Sequence, residues 1–354
     1  MVNLQRSSVV RLVRTAIVAG SVVWIAPSVA VAEDDPAPSA PSREEWRAAM
    51  DKLPAPKEGC FTSSYPRVEW RQTVCVTAPH LPYPPALGSG SDVVGNGNDA
   101  SGYVKNVMTT AIGSFPKVTG VTSEKGDVGG SPPLVANTYT LQLNTQFFTT
   151  KVCNGQSGCQ GWQQFVYSSS EGQAFMQYWL IGYIGSKNAS CPSGWFTYQT
   201  DCYTNSSGVT VNNGSRIPIG QLVDLSLKAA AVLNGNDTLT LNDGKTAYAV
   251  SGKDSKVDLA SSWHAAEFNI VGDCCATQAV FNEGASLEVH IVTDHGNADA
   301  PSCLGSGFTG ETNNLYFVAT STHKIPGSPP AIYFTEAGKK TSASACASAT
   351  SVGD

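Results

Sequence analysis

Hydrophobic and polar side chains alternate most regularly in residues 159–185. A short polar turn at residues 168–172 divides this stretch, which predicts two neighbouring strands. Successive side chains of a strand point to opposite faces, so one face of the second strand carries Gln173, Phe175, Gln177, Trp179 and Ile181. The other face carries Ala174, Met176, Tyr178 and Leu180. Amides among aromatic rings are costly to bury without partners, so the first face is either a site or a paired polar network.

Further alternating runs follow from residue 136 to residue 337. They lie at residues 139–144, 265–271, 287–293, 314–320 and 331–335, and a hairpin is predicted at 238–250 around Asn242-Asp243-Gly244. Residues 222–233 fit a strand, and an amphipathic helix also fits them. This spacing predicts an all-β fold, an antiparallel β-sandwich of jelly-roll or concanavalin-like type.

The region before this sandwich, residues 33–135, is less regular. Ser42 and Glu45 predict a capping box for a short helix that presents Trp46, Met50 and Leu53 on one face. A second short helix is possible at residues 104–112, and residues 96–99 (NGND) are typical of a turn. We expect residues 33–135 to be either a cleaved propeptide or an integral cover, and Cys60 and Cys75 favour a folded cover.

The two ends of the chain differ from the rest. Residues 1–32 predict a secretory signal peptide, with Arg6, Arg11 and Arg14 before an apolar core and Ala30-Val31-Ala32 at the cleavage site. The apolar core is too short to span a membrane. Residues 338–354 are a low-complexity tail that Cys346 could attach to the domain. We therefore expect a secreted, extracellular protein.

Composition and charge indicate which classes of binding partner to expect. Hydrophobic residues at 41% suffice for a core, and charged residues at 14% are few for a soluble domain. Without the signal peptide, 19 basic residues face 28 acidic ones, a net charge of −9. An acidic surface argues against nucleic acid and anionic membranes as partners.

The ten cysteines all follow the predicted cleavage site and indicate disulfides. Short spacings predict the bridges Cys60–Cys75, Cys153–Cys159 and Cys191–Cys202. The other four are expected to pair among themselves, but Cys274 not with Cys275, because adjacent residues strain a bridge. No C-x-x-C motif is present and the histidines are scattered, so neither a metal nor another cofactor is expected.

The sequence lacks the characteristic motifs of several enzyme classes. The sequence has no G-x-S-x-G, no H-E-x-x-H, and no phosphate-binding glycine loop after a predicted strand. Hydrolase chemistry of the α/β type, zinc proteolysis and nucleotide binding are therefore disfavoured.

Two short segments resemble the eqolisin-type glutamic peptidases, which are secreted acid proteases built on a β-sandwich. Trp162 precedes the run AFMQYW, which places Gln177 at the catalytic glutamine of the family. The later run AEFNIV resembles the strand that carries the glutamate. That strand has two glutamates in the family; Val271 stands at the position taken as catalytic, and Glu267 stands at the other.

The resemblance implies a hydrolase that cleaves polypeptides at acidic pH without a cofactor. Glu267 would be the general base, and Gln177 would orient the water and then donate to the oxyanion. Glu267, Asn269 and Val271 share one strand face, so Glu267 would line the same groove one step along. Substrate-binding candidates are Trp162, Gln164, Trp179, Trp195 and Asn269. The enzyme is expected to act as a monomer.

Two other functions fit the same residues. Tryptophan beside glutamine and asparagine suits an extracellular glycan, with Gln142, Asn144, Gln164, Gln173, Gln177, Trp179 and Trp195 as the candidate face. The chain could also be a disulfide-stapled surface protein in which Glu267 bonds Gln177, Asn269 or backbone for structural reasons. A peptidase needs carboxylate and amide in an open groove, whereas a glycan binder needs exposed aromatics.

Overall fold

The computed structural model describes residues 40–54, 56–86, 93–185, 189–318, 329–339 and 346–349, and Pro41–Asp354 form one compact unit. The predicted signal peptide, most of the acidic lead-in and most of the tail lie outside the described residues. Within the described ranges, no helix is long and apolar enough to cross a membrane.

The described residues form one α-helix, short 3-10 turns and 24 strands. Helix α1 spans Arg43–Lys52, and the 3-10 turns span Lys151–Cys153, Asn212–Gly214, Ile219–Asp224, Asp254–Lys256 and Leu259–Ser261. The first twelve strands are β1 Gly59–Ser64, β2 Arg71–Thr73, β3 Val76–Thr77, β4 Ser101–Tyr103, β5 Thr110–Thr119, β6 Glu124–Val128, β7 Ser131–Ala136, β8 Thr140–Thr145, β9 Gln160–Ser168, β10 Gln173–Ile181, β11 Phe196–Tyr198 and β12 Asp201–Asn205. The others are β13 Ser207–Thr210, β14 Ser226–Ala231, β15 Asn236–Asn242, β16 Thr246–Lys253, β17 Ala265–Val271, β18 Gln278–Phe281, β19 Ser286–Asp294, β20 Ser302–Leu304, β21 Thr312–Asn313, β22 Tyr316–Val318, β23 Ala331–Ala337 and β24 Ala347–Ala349.

Two large sheets form the predicted β-sandwich. The first sheet has the order β2-β1-β16-β15-β14-β5-β19-β23-β22, with β24 beside β23. The second has the order β11-β12-β10-β9-β8-β17-β4-β20, and β13 pairs with both β10 and β3. The apolar core joins inward side chains of both sheets, such as Leu239 and Leu241 with Leu143 and Met176. A third, small sheet, β21-β18-β6-β7, contains a parallel pair, β18 with β21.

The two hairpins predicted from the sequence are confirmed. Strands β9 and β10 pair from Gln173 opposite Ser168 to Ile181 opposite Gln160. Strands β15 and β16 pair around Gly244, whose φ of 81° suits a residue without a side chain. Asn242 Oδ1 accepts a hydrogen bond from Gly244 N at 2.8 Å and stabilises this turn.

The first helix also forms as predicted. Ser42 Oγ accepts from Glu45 N at 3.2 Å, and Glu45 accepts in return from Ser42 N at 2.6 Å. The buried side chains of Trp46 and Met50 pack against Ala247 of β16, so the helix covers part of the outer face of the first sheet.

The prediction of a second helix at residues 104–112 is wrong. Residues 110–119 are β5, a central strand of the first sheet, because Ala111, Gly113 and Phe115 alternate into the core. Phe268 of the second sheet packs so closely over Gly113 that a Cβ there would overlap its ring. Residues 222–233 contain a 3-10 turn and strand β14 rather than an α-helix.

Strands on both sides of residue 136, the expected domain boundary, belong to the same sheets. Strands β1 and β5 lie in the first sheet, and β4 lies in the second beside β17. Removal of all of residues 33–135 would take β5 out from between β14 and β19. Of the strand expected at 314–320, residues 316–318 form β22, residues 314 and 315 precede it outside any strand, and residues 319 and 320 lie outside the described residues.

The three short-range disulfides are confirmed, and Cys303 pairs with Cys346, which attaches the tail. The expectation that Cys274 does not pair with Cys275 is wrong, because these two form the fifth bridge. The chain turns sharply there, with left-handed backbone at Cys275 (φ 62°) and Ala276 (φ 59°), which the spacing alone did not indicate.

Candidate functional site

The candidate site lies on the outer face of the second sheet. Strands β10, β9, β8 and β17 are adjacent, and their registers place Gln177 opposite Gln164, Gln164 opposite Asn144, and Asn144 opposite Glu267. These four residues form one transverse row, here called the polar row. The alternate side chains of β10, Ala174, Met176, Tyr178 and Leu180, enter the core as predicted. All four members of the polar row are buried.

Gln177 binds main chain from the front region. Its Oε1 accepts from Tyr83 N at 2.8 Å, and its Nε2 donates to Leu81 O at 2.9 Å and to Asn205 Oδ1 at 2.8 Å. Asn205 Nδ2 donates in turn to Pro79 O at 2.7 Å, and Tyr203 Oη donates to His80 O at 3.3 Å. Residues 79–83, here called the covering segment, therefore lie along this face through their own main chain.

Glu267 lies at the other end of the polar row. Its Oε2 accepts from Asn144 Nδ2 at 3.1 Å, Phe308 N at 2.9 Å and Thr309 N at 3.2 Å. Its Oε1 has no hydrogen-bond partner among the described residues and faces Gly307, where a Cβ would overlap it. The loop of residues 305–311, here called the covering loop, therefore fills the space in front of the carboxyl group.

Gln177 and Glu267 do not contact each other. The expectation that they act on one water is not met by this geometry, since two strands separate them. Trp179 Nε1 links Gln177 to Gln164, Gln164 Nε2 donates to Gln142 Oε1 at 3.2 Å, and Asn144 Nδ2 bonds both Gln142 and Glu267. The amide next to Glu267 is that of Asn144, which the sequence reasoning placed only on the glycan face.

Three more carboxyl groups, Asp99, Glu311 and Glu336, lie near Glu267 and were not predicted. Asp99 and Glu267 both lie against Gly307, and Asn269 Nδ2 donates to both Asp99 oxygens at 3.1 Å and to Glu336 at 3.3 Å. Glu311 accepts from Thr309 Oγ1 at 2.6 Å and from Gln142 Nε2 at 3.2 Å. The sequence contains one indication of Glu336, an acidic residue near the end of the apolar strand β23. Asp99 lies in the segment that the sequence predicts as a turn.

Burial dominates the electrostatics of this cluster. It raises the pKa of Glu267, although hydrogen bonds from Phe308, Asn144 and Thr309 oppose the shift. Burial raises the pKa of Asp99 well above its ordinary value, and the charges of Glu267 and Glu336 add to the effect. It also raises the pKa of Glu311 to about 7 and that of Glu336 to about 8. Glu311 and Glu336 therefore hold their protons at acidic pH.

The tryptophans predicted to bind substrate lie in two different parts of the structure. Trp162 and Trp179 are buried on the site face and pack with Tyr203, whose ring stacks on Trp179 at 5.1 Å. Trp195, expected beside them, packs partly buried against the main core instead. Trp162 and Trp179 are therefore not available as the exposed aromatic surface that a glycan binder needs.

A cleft of about 410 Å³ lies at the Gln177 end of the polar row and is lined among others by His80, Phe196 and Asn205. It reaches Asn205, the partner of Gln177, at the edge of the covering segment. In the described part of the chain, no group of three or more His, Cys, Asp or Glu side chains is arranged to hold a metal ion.

Comparison with known proteins found a similarity to a solved structure. No protein-family model matches the chain, and no curated protein matches it. Among solved structures, the chain is similar to SCP-B, described as a member of the eqolisin family of peptidases in a complex with the tripeptide Ala-Ile-His. The match has 9% identity and a TM-score of 0.28 and covers 69% of this chain and 98% of SCP-B. A likeness at this level carries no argument about the site, so the β-sandwich class rests on the strands themselves.

Proposed function

We propose that this chain is an exported, glutamic-peptidase-like hydrolase, seen here in a closed form whose groove holds part of the same chain. The observation that carries the proposal is the set of hydrogen bonds that Gln177, Asn205 and Tyr203 make to the main chain of residues 79–83. Side chains that bind main chain hold a polypeptide whatever its sequence, which is what a peptidase groove requires.

The covering segment suits this role because of its own sequence. Pro79 and Pro82 within it, and Pro84 and Pro85 directly after it, favour an extended backbone with few N–H donors. Its carbonyl groups need donors from elsewhere, and the amides of Gln177 and Asn205 provide them. On this proposal, Gln177 positions the substrate main chain and does not hold the attacking water.

Glu267 would be the general base. It would take a proton from water as the water oxygen attacks the peptide carbonyl carbon, and then return that proton to the leaving nitrogen, which releases a carboxylic acid and an amine. Asn144 Nδ2, 3.1 Å from Glu267 Oε2, would donate to the developing oxyanion. Asp99, whose side chain interacts with that of Glu267, would influence the pH at which Glu267 loses its proton. Gly307 lies against Glu267 Oε1 in the closed form, so catalysis would require the covering loop to move.

Partners and location follow from the same proposal. Five disulfides are typical of exported proteins and are consistent with an extracellular location. We propose polypeptide substrates, action as a monomer without a cofactor, and no part for nucleic acid or membranes.

The test is proteolysis of denatured haemoglobin across acidic and neutral pH, before and after incubation at acidic pH. We expect cleavage at acidic pH, a loss of about 100-fold or more in Glu267→Gln, and a shifted pH profile in Asp99→Asn. Gln177→Ala should raise KM more than it lowers kcat, whereas Gln160→Ala, on the exposed end of β9, should change neither. If wild type cleaves nothing in either state, or if Glu267→Gln keeps full activity, the proposal fails.

A further inference from the structure

A second, larger cleft lies on the outer face of the first sheet. Its volume is about 1020 Å³, and it extends from the C-terminal half of α1 across β14 and β5 to the end of β19. Its floor includes Lys228 and Thr240, whose neighbours Leu227, Leu239 and Leu241 point into the core. The thickness of the sandwich therefore separates this cleft from the polar row.

Hydroxyl groups in the floor lack partners. Ser226 and Thr240 line the cleft, and neither hydroxyl has a hydrogen-bond partner among the described residues. A hydroxyl that faces a cleft without a protein partner can both donate to and accept from a molecule bound there. The floor thus offers hydrogen-bonding positions that only a molecule in the cleft could fill.

The charged residues of the cleft are three basic side chains, Arg47, Lys52 and Lys228, and two acidic ones, Asp51 and Asp294. Lys228 Nζ donates to the carbonyl oxygen of Asp51, and the carboxylates of Asp51 and Asp294 both attract its charge. Arg47 also attracts the carboxylate of Asp51. Three positive and two negative charges leave a net charge of only +1, so the cleft has no strong net attraction for an anion, which favours an uncharged, hydrogen-bonding ligand.

The walls are apolar and partly exposed. The Trp70 indole is fixed by a 3.1 Å hydrogen bond from Nε1 to Pro54 O, and Val232 and Leu233 at the mouth are 52% and 61% exposed. Aromatic and aliphatic surfaces of this kind pack against the apolar faces of sugar rings, while polar groups bond the ring hydroxyls.

We propose that this cleft is a binding site for an uncharged oligosaccharide, independent of the hydrolase site. The volume lies at the upper end of the range for small-molecule sites, which favours several sugar units over one. Thr240 and Lys228 would bond hydroxyl groups, and Trp70 would pack against one ring.

Titration calorimetry of the full exported chain with cellotetraose, maltotetraose and N-acetylated chitotetraose tests the site. At least one should bind in the millimolar range or tighter. Thr240→Val should weaken binding about fivefold, the loss of one hydrogen bond, while Thr240→Ser, which keeps the hydroxyl, should retain it. Trp70→Ala should weaken binding about tenfold, the loss of one ring contact.

Two controls keep the result interpretable. Trp195→Ala removes a tryptophan from outside the cleft and should leave binding unchanged, and melting curves establish that each variant is folded. The proposal is overturned if none of the three sugars binds, if Thr240→Val and Trp70→Ala bind as wild type does, or if laurate binds the cleft and the sugars do not. None of these outcomes depends on proteolytic activity.

Discussion

Gln177 and Glu267 occupy the two ends of one transverse row in the second sheet, with Gln164 and Asn144 between them. Neighbouring strands lie about 4.8 Å apart, so three steps separate the two residues by roughly 14 Å. Gln177 contacts the covering segment, and Glu267 contacts the covering loop. The two side chains therefore bind different parts of the chain, and a substitution of one should leave the contacts of the other in place.

Gln177→Ala should destabilise the protein by about 2–4 kcal/mol, because Tyr83 N, Leu81 O and the Trp179 indole lose a buried partner. Chemical denaturation monitored by tryptophan fluorescence measures the free energy of unfolding. The matched control is Gln160→Ala at an exposed position of β9, which should change stability by no more than about 0.5 kcal/mol. Equal effects of both variants would contradict the assignment.

Gly307→Ala should destabilise the covering loop, since a Cβ there overlaps Glu267 Oε1 and crowds Asp99. The expected cost is about 1–3 kcal/mol, as for other overpacked positions. Gly305→Ala is the control, because nothing lies within 4 Å of its Cβ position. A Gly307→Ala variant as stable as Gly305→Ala would show that the loop does not rest on Glu267.

The protein should be more stable at acidic than at neutral pH. Glu311 and Glu336 have an ordinary pKa of 4.5 and folded values of about 7 and about 8, so the folded state binds more protons than the unfolded state. Their stabilising contribution is complete below about pH 4.5 and is lost as the pH rises through about 7 and 8. Melting temperatures between pH 3 and 8 measure it.

Glu336→Gln should flatten this pH dependence, because an amide keeps the shape of the side chain without titrating. The exposed Glu283→Gln should leave the dependence as it is in wild type. A melting temperature that rises from pH 4 to pH 8 would run against the prediction.

The bridge Cys303–Cys346 should contribute more stability than Cys153–Cys159. It closes a separation of 43 residues rather than 6, and chain entropy then gives about 4 kcal/mol against about 2 kcal/mol. Denaturation of the two double-alanine variants without reductant compares them. Equal losses would mean that loop length does not govern the contribution of these bridges.

The local sequence determined the hairpins, the first helix and three of the bridges. In each case the signal lies within a few residues, as with the Ser42 and Glu45 capping box or the Asn242-Asp243-Gly244 turn. Alternation assigned the faces of β10 correctly, because the period of a strand does not depend on its neighbours.

Only the tertiary structure decided which residues share a site. Strand order places β9 and β8 between Gln177 and Glu267, and it brings Asp99, Glu311 and Glu336 to Glu267 from distant parts of the chain. It also places residues 110–112 of the expected helix in a central strand, and it covers the aromatic face with residues 79–83. These outcomes depend on contacts between segments far apart in sequence. A local pattern of hydrophobic and polar residues does not specify which distant segments come into contact.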